Sequence, residues 1–228
     1  MTKLRSSVAL ALVALAACAG EPANQAGTAT ADAALVPAAP LAAEAPAVAP
    51  ESWRANPASA AVTRMGDTVT VRTGPHTVLW EEGKADLAPP YTVRATLQKR
   101  SGRLHEGTGI VFGASGLDGP DSGQVYSYFL TRGDGSYLIK RRQGAETPVV
   151  RDWTRDPAIR RDAEAAGRPN EMEVVVGESE VAFRVNGREV ARVPAAELSV
   201  RGKAGLRASH DVQLVVTGFR AEPGAAAQ

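Results

Sequence analysis

The fold is decided by residues 125–142, which read VYSYFLTRGDGSYLIKRR. Apolar and polar side chains alternate in the two arms of this stretch, as they do in a strand that buries one face. Gly133-Asp134-Gly135 separates the arms, and Asp-Gly between two alternating runs marks a hairpin turn. Tyr126, Tyr128 and Leu130 are expected to share one face of the first strand. The stretch therefore predicts a β-hairpin at the middle of a β-sandwich.

Further alternating runs occupy most of residues 51–222. On the second arm of the hairpin, Tyr137 and Ile139 are expected to share one face. Asn186-Gly187 separates two more alternating runs, and this dipeptide is the strongest short-range signal for a hairpin. Only residues 156–166 have a helix-like pattern. Eleven or twelve strands with one short helix predict an all-β sandwich or a closed barrel.

The N-terminus has the features of a bacterial lipoprotein signal peptide, residues 1–17. Lys3 and Arg5 precede an apolar run that is shorter than the roughly 20 residues of a membrane-spanning helix. The run ends in Leu15-Ala16-Ala17-Cys18, which resembles a lipobox, so we expect cleavage before Cys18 and its acylation, with palmitate among the acyl chains. Cys18 is the single cysteine, which excludes an internal disulfide. A protein that is anchored to a membrane without crossing it is therefore predicted.

The domain organisation follows from composition. Residues 19–50 contain 14 alanines and 5 prolines and few side chains that build a core, so residues 18–50 are interpreted as a disordered tether. Residues 51–222 are predicted to form one β-sandwich, and residues 223–228 a disordered tail. Ala19 stands where an inner-membrane retention signal would have Asp. The expected location is the bacterial cell envelope, at an outer membrane, facing the periplasm or the cell surface.

The charge balance argues against nucleic acid as a partner. Without Lys3 and Arg5 the chain carries 24 basic and 25 acidic residues, whereas nucleic-acid-binding domains usually carry a concentrated positive excess. The basic run Lys140-Arg141-Arg142 is interpreted as a solvated strand end. The expected partners are the membrane, through the lipid, and a glycan.

Several short segments, in their order along the chain, resemble a known family. They are residues 109–113 (GIVFG), 126–130 (YSYFL), 135–142 (GSYLIKRR), Trp153, 169–174 (PNEMEV), 185–187 (VNG) and 205–207 (GLR). The series is similar to the concanavalin A-like jelly roll of laminin G-like domains. In particular it resembles the bacterial family formerly called domain of unknown function 1080, which is associated with 3-keto-disaccharide hydrolysis. The resemblance covers roughly residues 68–220 and implies a sandwich of two antiparallel sheets. Its motifs are turn and core residues, so they indicate fold more than function.

No catalytic signature accompanies this resemblance. A glucanase-like jelly roll would carry Glu-x-Asp-x-x-Glu on one strand, because that spacing points carboxylates into one groove, and the sequence lacks it. Glu171 and Glu173 share a strand face without a third acid and are interpreted as solvated. For an enzyme, the acid–base candidates are His105, Glu106, Asp134 and His210. The histidines lack the spacing of a zinc site, and the residues favour a domain that binds without catalysing.

Aromatic side chains are the candidates for ligand binding, since sugar-binding surfaces use exposed rings to stack on pyranose faces. Tyr126, Tyr128 and Tyr137 are expected either to line a groove on the concave sheet or to pack in the core beneath it. Trp80 and Trp153 are further platform candidates.

No cofactor is predicted, but calcium is left open. Asp118 and Asp121 lie in the glycine-rich loop of residues 116–123, and carboxylates in such a loop can ligate calcium.

Three functions follow from these observations. The first is an envelope lipoprotein with a non-catalytic, carbohydrate-binding jelly roll. The alternative, implied by the family resemblance, is a glycoside hydrolase or lyase acting on a 3-keto-disaccharide. The third is a structural envelope lipoprotein without a small-molecule ligand.

Overall fold

The computed structural model describes residues 53–162 and 167–224. In these residues the secondary structure consists of fourteen strands and two single-turn 3₁₀ helices, Asp121–Gly123 and Ala195–Glu197. The strands, in chain order, are β1 (Trp53–Asn56), β2 (Ala61–Met65), β3 (Thr68–Arg72), β4 (Thr77–Glu81), β5 (Tyr91–Ser101), β6 (Thr108–Ser115), β7 (Val125–Arg132), β8 (Ser136–Gln143), β9 (Val149–Arg155), β10 (Asn170–Val176), β11 (Glu180–Val185), β12 (Arg188–Pro194), β13 (Lys203–Ala208) and β14 (Gln213–Pro223). Neither of the helices found in this part of the chain has the length and apolar character to cross a membrane.

The strands form two sheets of seven strands each. Sheet A has the order β1-β4-β13-β6-β7-β8-β9, and sheet B has the order β12-β11-β10-β5-β14-β3-β2. Neighbouring strands pair antiparallel throughout, and several pairs join distant parts of the chain, as where β13 lies between β4 and β6. The predicted fold class is confirmed, because the described residues form a jelly-roll β-sandwich of two antiparallel sheets.

The main core lies between the two sheets. Side chains alternate along β5, where Tyr91, Val93 and Leu97 are at most 3% exposed and Arg94 is exposed. Because successive side chains of a strand point to opposite faces, the buried series packs against sheet A and Arg94 lies on the outer face of sheet B. A second buried apolar cluster belongs to strands of sheet A and is separate from this core.

The central hairpin is confirmed as β7 and β8. Leu130 pairs with Leu138 in the register, and residues 133–135 connect the strands. Gly135 has a φ of 84°, a conformation that glycine adopts without steric cost. The Asp134 carboxylate accepts a hydrogen bond of 3.0 Å from the backbone N–H of Ser136, which closes the turn. The hairpin lies in the interior of sheet A, with β6 on one side and β9 on the other.

The second predicted hairpin is also confirmed. Asn186 and Gly187 connect β11 and β12 with φ values of 50° and 79°. Positive φ at both central residues is the backbone signature of a type I′ turn, whose twist matches that of the flanking strands.

The predicted helix at residues 156–166 is wrong for its described part, residues 156–162. None of these residues is helical, and residues 157 and 158 form a turn in which the Asp156 carboxylate accepts a hydrogen bond of 2.7 Å from the N–H of Ala158. The Asp156 carbonyl accepts another, of 3.1 Å, from the N–H of Ile159. The short side chain of Asp156 offers the backbone an alternative to the helical pattern.

The strand number exceeds the prediction because β1 and β2 carry no clear pattern. The sequence of β2, AVTRM, does not alternate apolar and polar side chains, and none of its residues is buried, so this edge strand has no pattern that would reveal it. Cys18, the signal peptide and the tether lie outside the described residues, and their predictions stay predictions.

Candidate ligand-binding face

The candidate site is the outer face of sheet A, which we call the tyrosine face. Its apolar side chains are Val78, Trp80, Val111, Tyr126, Tyr128, Leu130 and Leu138. On β7, Phe129 packs in the main core, so its neighbours Tyr128 and Leu130 point the other way. The apolar side chains of the tyrosine face lie on the side of sheet A that does not pack against sheet B, and the surrounding side chains leave each of them at most 7% exposed.

Tyr126 is the centre of the polar contacts on this face. Its hydroxyl oxygen accepts a hydrogen bond of 3.1 Å from Arg142 Nε and one of 2.8 Å from a terminal nitrogen of Arg207. Arg142 comes from β8 and Arg207 from β13, on opposite sides of β7 in the sheet. The hydroxyl of Tyr126 therefore joins two guanidinium groups that the chain brings from two distant strands.

Tyr128 lies beside Tyr126, with 5.7 Å between the ring centroids. The guanidinium carbon of Arg207 lies 4.9 Å from the centroid of the Tyr128 ring, the geometry of a cation–π contact. Tyr126 is 1% exposed and Tyr128 is 4% exposed, and burial raises the pKa of the Tyr128 hydroxyl. The side that the two rings would offer a sugar is therefore already covered, in part by Arg207.

Tyr137 does not belong to the tyrosine face. It packs against Phe129 in the main core and donates a hydrogen bond of 3.0 Å to the carbonyl of Val190. Tyr137 precedes Leu138 on β8, and Leu138 faces outward, so the opposite direction of Tyr137 follows from the period of the strand. Of the two positions expected for Tyr137, groove or core, the structure places it in the core.

The two tryptophans named as platform candidates differ in position. Trp80 is 3% exposed and belongs to the apolar cluster of the tyrosine face. Trp153 on β9 is partly exposed, and the guanidinium carbon of Arg132 lies 4.3 Å from its ring centroid. Trp153 is thus the aromatic ring of this face that retains access to solvent.

The interpretation of the basic run at residues 140–142 as a solvated strand end is wrong for Arg142. Arg142 is 7% exposed, and its side chain also donates to the carbonyls of Asp121 and Gly144 at 3.3 and 3.0 Å. Lys140 is partly buried and donates a hydrogen bond of 3.2 Å to the hydroxyl of Thr147. The outward positions of β8 therefore hold cations within the candidate site.

Asp118 and Asp121 are placed next to basic side chains. Asp118 lies 3.9 Å from Arg54, and Asp121 lies 3.3 Å from Arg142 and 3.9 Å from His76. In residues 53–162 and 167–224 there is no group of three or more His, Cys, Asp or Glu side chains that could hold a metal ion. The chemistry observed at both carboxylates is ion pairing with basic groups.

Three of the four acid–base candidates meet at one end of the tyrosine face. The Glu106 carboxylate lies 3.3 Å from His105 Nε2 and 3.9 Å from His210 Nδ1. The ring of His210 packs edge-on against that of His76, with 5.4 Å between centroids. Burial, followed by the positive charge of Arg207, lowers the pKa of His76. A carboxylate between two imidazoles is an arrangement that can move a proton.

The fourth candidate, Asp134, is engaged in the hairpin turn. It accepts a hydrogen bond of 3.0 Å from Arg132 Nε and ion-pairs with a terminal nitrogen of the same guanidinium at 2.9 Å. Burial opposes ionisation of Asp134, but the bonds from Arg132 and Ser136 outweigh it, and the pKa is lowered. This role is structural, because a carboxylate held ionised by two donors is a poor general acid.

The acidic pair Glu171 and Glu173 lies on the outer face of sheet B. Met172 between them is fully buried, and each glutamate has an arginine partner, Arg94 at 3.9 Å and Arg184 at 2.9 Å respectively. Both carboxylates are ion-paired on the outer face of sheet B, so they do not contribute to the tyrosine face on sheet A.

No family model matches this chain, and no curated protein matches it. The carbohydrate-binding module CBM66 from Bacillus subtilis superposes with a TM-score of 0.60 at 10% identity, over 75% of this chain and 95% of the module. A Bacillus subtilis protein of unknown function with a galectin-like fold superposes with a TM-score of 0.54 at 15% identity, over 75% and 88% of the two chains. The endo-β-1,3-glucanase from Pyrococcus furiosus superposes with a TM-score of 0.50 at 11% identity, over 79% and 91%.

These similarities show the fold alone. The same sandwich occurs in a chain named as a binding module and in a chain named as a hydrolase. Since one fold hosts unrelated functions, the function must be argued from the residues of the tyrosine face.

Proposed function

We propose that this chain is a non-catalytic carbohydrate-binding protein of the bacterial cell envelope, and that the tyrosine face is its binding site. The observation that carries the proposal is the pair Tyr126 and Tyr128, which lie on the side of sheet A that does not pack against sheet B, with Arg142 and Arg207 bonded to the hydroxyl of Tyr126. An apolar floor with a few fixed donors is the usual composition of a ligand site.

The partly exposed groups around this floor fit the chemistry of a saccharide. Lys140 and Arg207 carry N–H donors for sugar hydroxyls, and the partly exposed Trp153 ring can stack on a pyranose face. Trp153 is held by Arg132 on one side and lies close to Gly107, where a Cβ atom would approach it to 3.1 Å. A ring fixed in this way loses little conformational entropy on binding.

The lipid anchor belongs to the same proposal. Acylation of Cys18 would hold the domain at an outer membrane, and the tether would let the tyrosine face reach ligands away from the bilayer. It is supported by the lipobox-like residues before Cys18.

The function is tested by screening the purified full-length protein against a glycan array and measuring affinities by calorimetry. Trp153→Ala and Lys140→Ala remove groups of the proposed site that are accessible to solvent, so both should weaken binding. Lys140→Ala should change the melting temperature little, whereas Trp153→Ala should lower it because the ring also packs against the apolar cluster. Glu178→Ala, an exposed position between β10 and β11, is the matched control and should bind like the wild type. Wild-type protein that retains no glycan, acidic or neutral, would support the structural envelope protein instead.

The alternative is a hydrolase or lyase acting on a 3-keto-disaccharide, as the resemblance to domain of unknown function 1080 implies. It is favoured by one observation, the placement of Glu106 between His105 and His210. Turnover of a 3-keto-disaccharide by the wild type, together with its loss in Glu106→Gln and His210→Gln, would establish the enzyme. Absence of turnover with retained glycan binding would support the binding protein.

A further inference from the structure

Three cationic side chains converge on the tyrosine face. Arg142 and Arg207 both donate to the hydroxyl of Tyr126, at 3.1 and 2.8 Å. Lys140 occupies the outward position of β8 next to that of Arg142, and it pairs with Tyr128 in the strand register. All three cations therefore surround the same two tyrosine rings.

The negative charge near these cations is smaller than their positive charge. Arg142 has Asp121 at 3.3 Å, and Asp152 attracts Lys140. Among the described residues, no carboxylate pairs with Arg207, whose guanidinium contacts there are with Tyr126 and Tyr128. One positive charge on this face is left without a carboxylate partner from the described part of the chain.

The crowding of these cations affects the pKa values of neighbouring basic groups. Burial lowers the pKa of Lys140, and the positive charges of Arg207 and Arg142 lower it further, against the opposing effect of Asp152. His76, at the end of the face near Glu106, has a pKa lowered by burial and then by Arg207. A partly desolvated cation without a counterion is unfavourable, and an anion placed beside it removes that cost.

The chemistry of Arg207 selects the kind of anion. A guanidinium presents N–H donors in a planar fork that fits two oxygens of one anionic group. Its donation to Tyr126 uses one terminal nitrogen, and the guanidinium carbon lies 4.9 Å from the centroid of the Tyr128 ring. A neutral sugar would supply hydroxyl acceptors but no negative charge to balance the excess positive charge of the face.

We infer that the ligand of the tyrosine face is an anionic saccharide, whose carboxylate, sulfate or phosphate oxygens bind Arg207 and Lys140. The inference rests on the proposed glycan-binding function and names its ligand class. The buried tyrosines position the cations, and Trp153 at the edge contacts the sugar ring.

The test compares ligands that differ only in charge. Oligogalacturonate and its methyl ester have the same sugar backbone, and dextran sulfate and dextran form a second pair that carries sulfate instead of carboxylate. The full-length protein, purified in detergent, is titrated with each by calorimetry at low and at physiological salt. Binding of at least one charged member and not of its neutral partner is expected, with weaker binding at the higher salt.

Two variants with the same change in net charge locate the binding. Arg207→Gln removes the cation of the tyrosine face that has no carboxylate partner among the described residues, and Arg94→Gln removes an exposed cation from the outer face of sheet B. We expect Arg207→Gln to weaken binding by roughly tenfold or more, as for loss of a charge-assisted hydrogen bond, and Arg94→Gln to leave it unchanged. Lys140→Gln gives a second measurement at a partly exposed position in case Arg207→Gln lowers the folded fraction.

The other outcomes separate this inference from the proposed function. Binding of neutral glycans that Arg207→Gln and Lys140→Gln do not affect would overturn the anionic ligand and leave the carbohydrate-binding function standing. Equal losses of binding in Arg207→Gln and Arg94→Gln would show unspecific attraction of polyanions and would also overturn the anionic saccharide as ligand. The same conclusion would follow if a single-stranded oligonucleotide bound with the same affinity as the charged saccharide. No binding of any saccharide by the wild type would overturn both.

Discussion

The side-chain amide of Asn186 donates a hydrogen bond of 2.8 Å to the side-chain oxygen of Asn170. Asn186 lies in the turn between β11 and β12, and Asn170 begins β10, so the bond ties the turn to the start of a neighbouring strand. The same amide donates to the carbonyl of Ala158 at 2.7 Å. The turn residue therefore has two roles, one in its own backbone conformation and one in fixing residues 156–162.

These two roles predict that Asn186→Gly destabilises the domain. Glycine adopts the φ of 50° without cost, so the turn is kept. The bonds to Asn170 and Ala158 are lost, and so is the bond that the Asn186 side chain accepts from the N–H of Glu171 at 3.1 Å. We expect the free energy of unfolding to fall by about 1–3 kcal/mol in urea titrations. Stability equal to that of the wild type would mean that water replaces the side chain without loss.

The neighbouring glycine is predicted to be needed for its backbone alone. Gly187 has a φ of 79°, and a Cβ atom added there would meet nothing within 4 Å. Gly187→Val should therefore cost about 1–2 kcal/mol through backbone strain without any clash. Gly187→Asn is the matched control and should cost less, because asparagine tolerates positive φ. Equal melting temperatures for Gly187→Val and Gly187→Asn would contradict the prediction that valine at position 187 strains the backbone.

These local features could be predicted because their signals are local. A few consecutive residues determine the central hairpin and the Asn186-Gly187 turn. Period-two alternation then assigns Tyr126 and Tyr128 to one face of β7. The fold class follows from the number and order of such segments.

The composition of the candidate site could not be predicted in the same way. Arg142 and Arg207 lie on β8 and β13, which β7 and β6 separate in sheet A, and they meet only at the hydroxyl of Tyr126. Glu106 and His210 likewise come together through sheet topology, from loops far apart in the chain. The basic run at residues 140–142 indicates that β8 carries cations. The sequence does not indicate that Arg142 is only 7% exposed, because its burial depends on residues from other strands and loops.

A buried ion pair near the end of β5 leads to a third prediction. Lys99 Nζ lies 3.0 Å from Asp162 Oδ2, and the two side chains are 8% and 10% exposed. Asp162→Ala leaves the ammonium of Lys99 buried without its counterion, which costs roughly 3 kcal/mol, the lower end of the usual range. The lower end is expected because Lys99 still donates to the carbonyl of Arg103 at 2.8 Å.

The control for this pair removes both charges. Lys99→Met combined with Asp162→Leu should recover most of the stability lost in Asp162→Ala, since an apolar pair needs no counterion. Chemical denaturation followed by tryptophan fluorescence measures both variants. A double variant less stable than Asp162→Ala would indicate that the ion pair itself stabilises the fold.

Lipidation of Cys18 is the fourth prediction. A clickable fatty acid fed to expressing cells should label the wild-type protein. The labelled protein should partition with membranes, because each CH₂ group of a buried acyl chain contributes about 0.8 kcal/mol to membrane binding. Cys18→Ala removes the only thiol and should abolish both the label and the membrane fraction. Ala17→Gly, which keeps a small residue before the cysteine, serves as the control. Label retained in Cys18→Ala would contradict acylation at this residue.

The last prediction concerns the pH dependence of stability through His76. Its ring is 33% exposed, and it faces Asp121 at 3.9 Å, the ring of His210, and the charges of Arg207 and Arg142. Burial and then Arg207 lower its pKa below the value of 6.5 expected in the unfolded chain. The unfolded state therefore binds the proton more readily, and the contribution of His76 makes the folded state less stable as pH falls below 6.5.

Replacing the imidazole isolates this contribution. Relative to His76→Gln, the free energy of unfolding of the wild type should rise as pH increases from about 5 to about 7, the range in which histidine titrates. His105→Gln, at a side chain that is 63% exposed, is the control for replacing an imidazole by an amide elsewhere on the domain. Urea titrations at several pH values measure the difference. A wild-type curve that falls with pH relative to His76→Gln would mean that Asp121 holds the imidazolium in the folded state, because a raised pKa reverses the sign of the linkage.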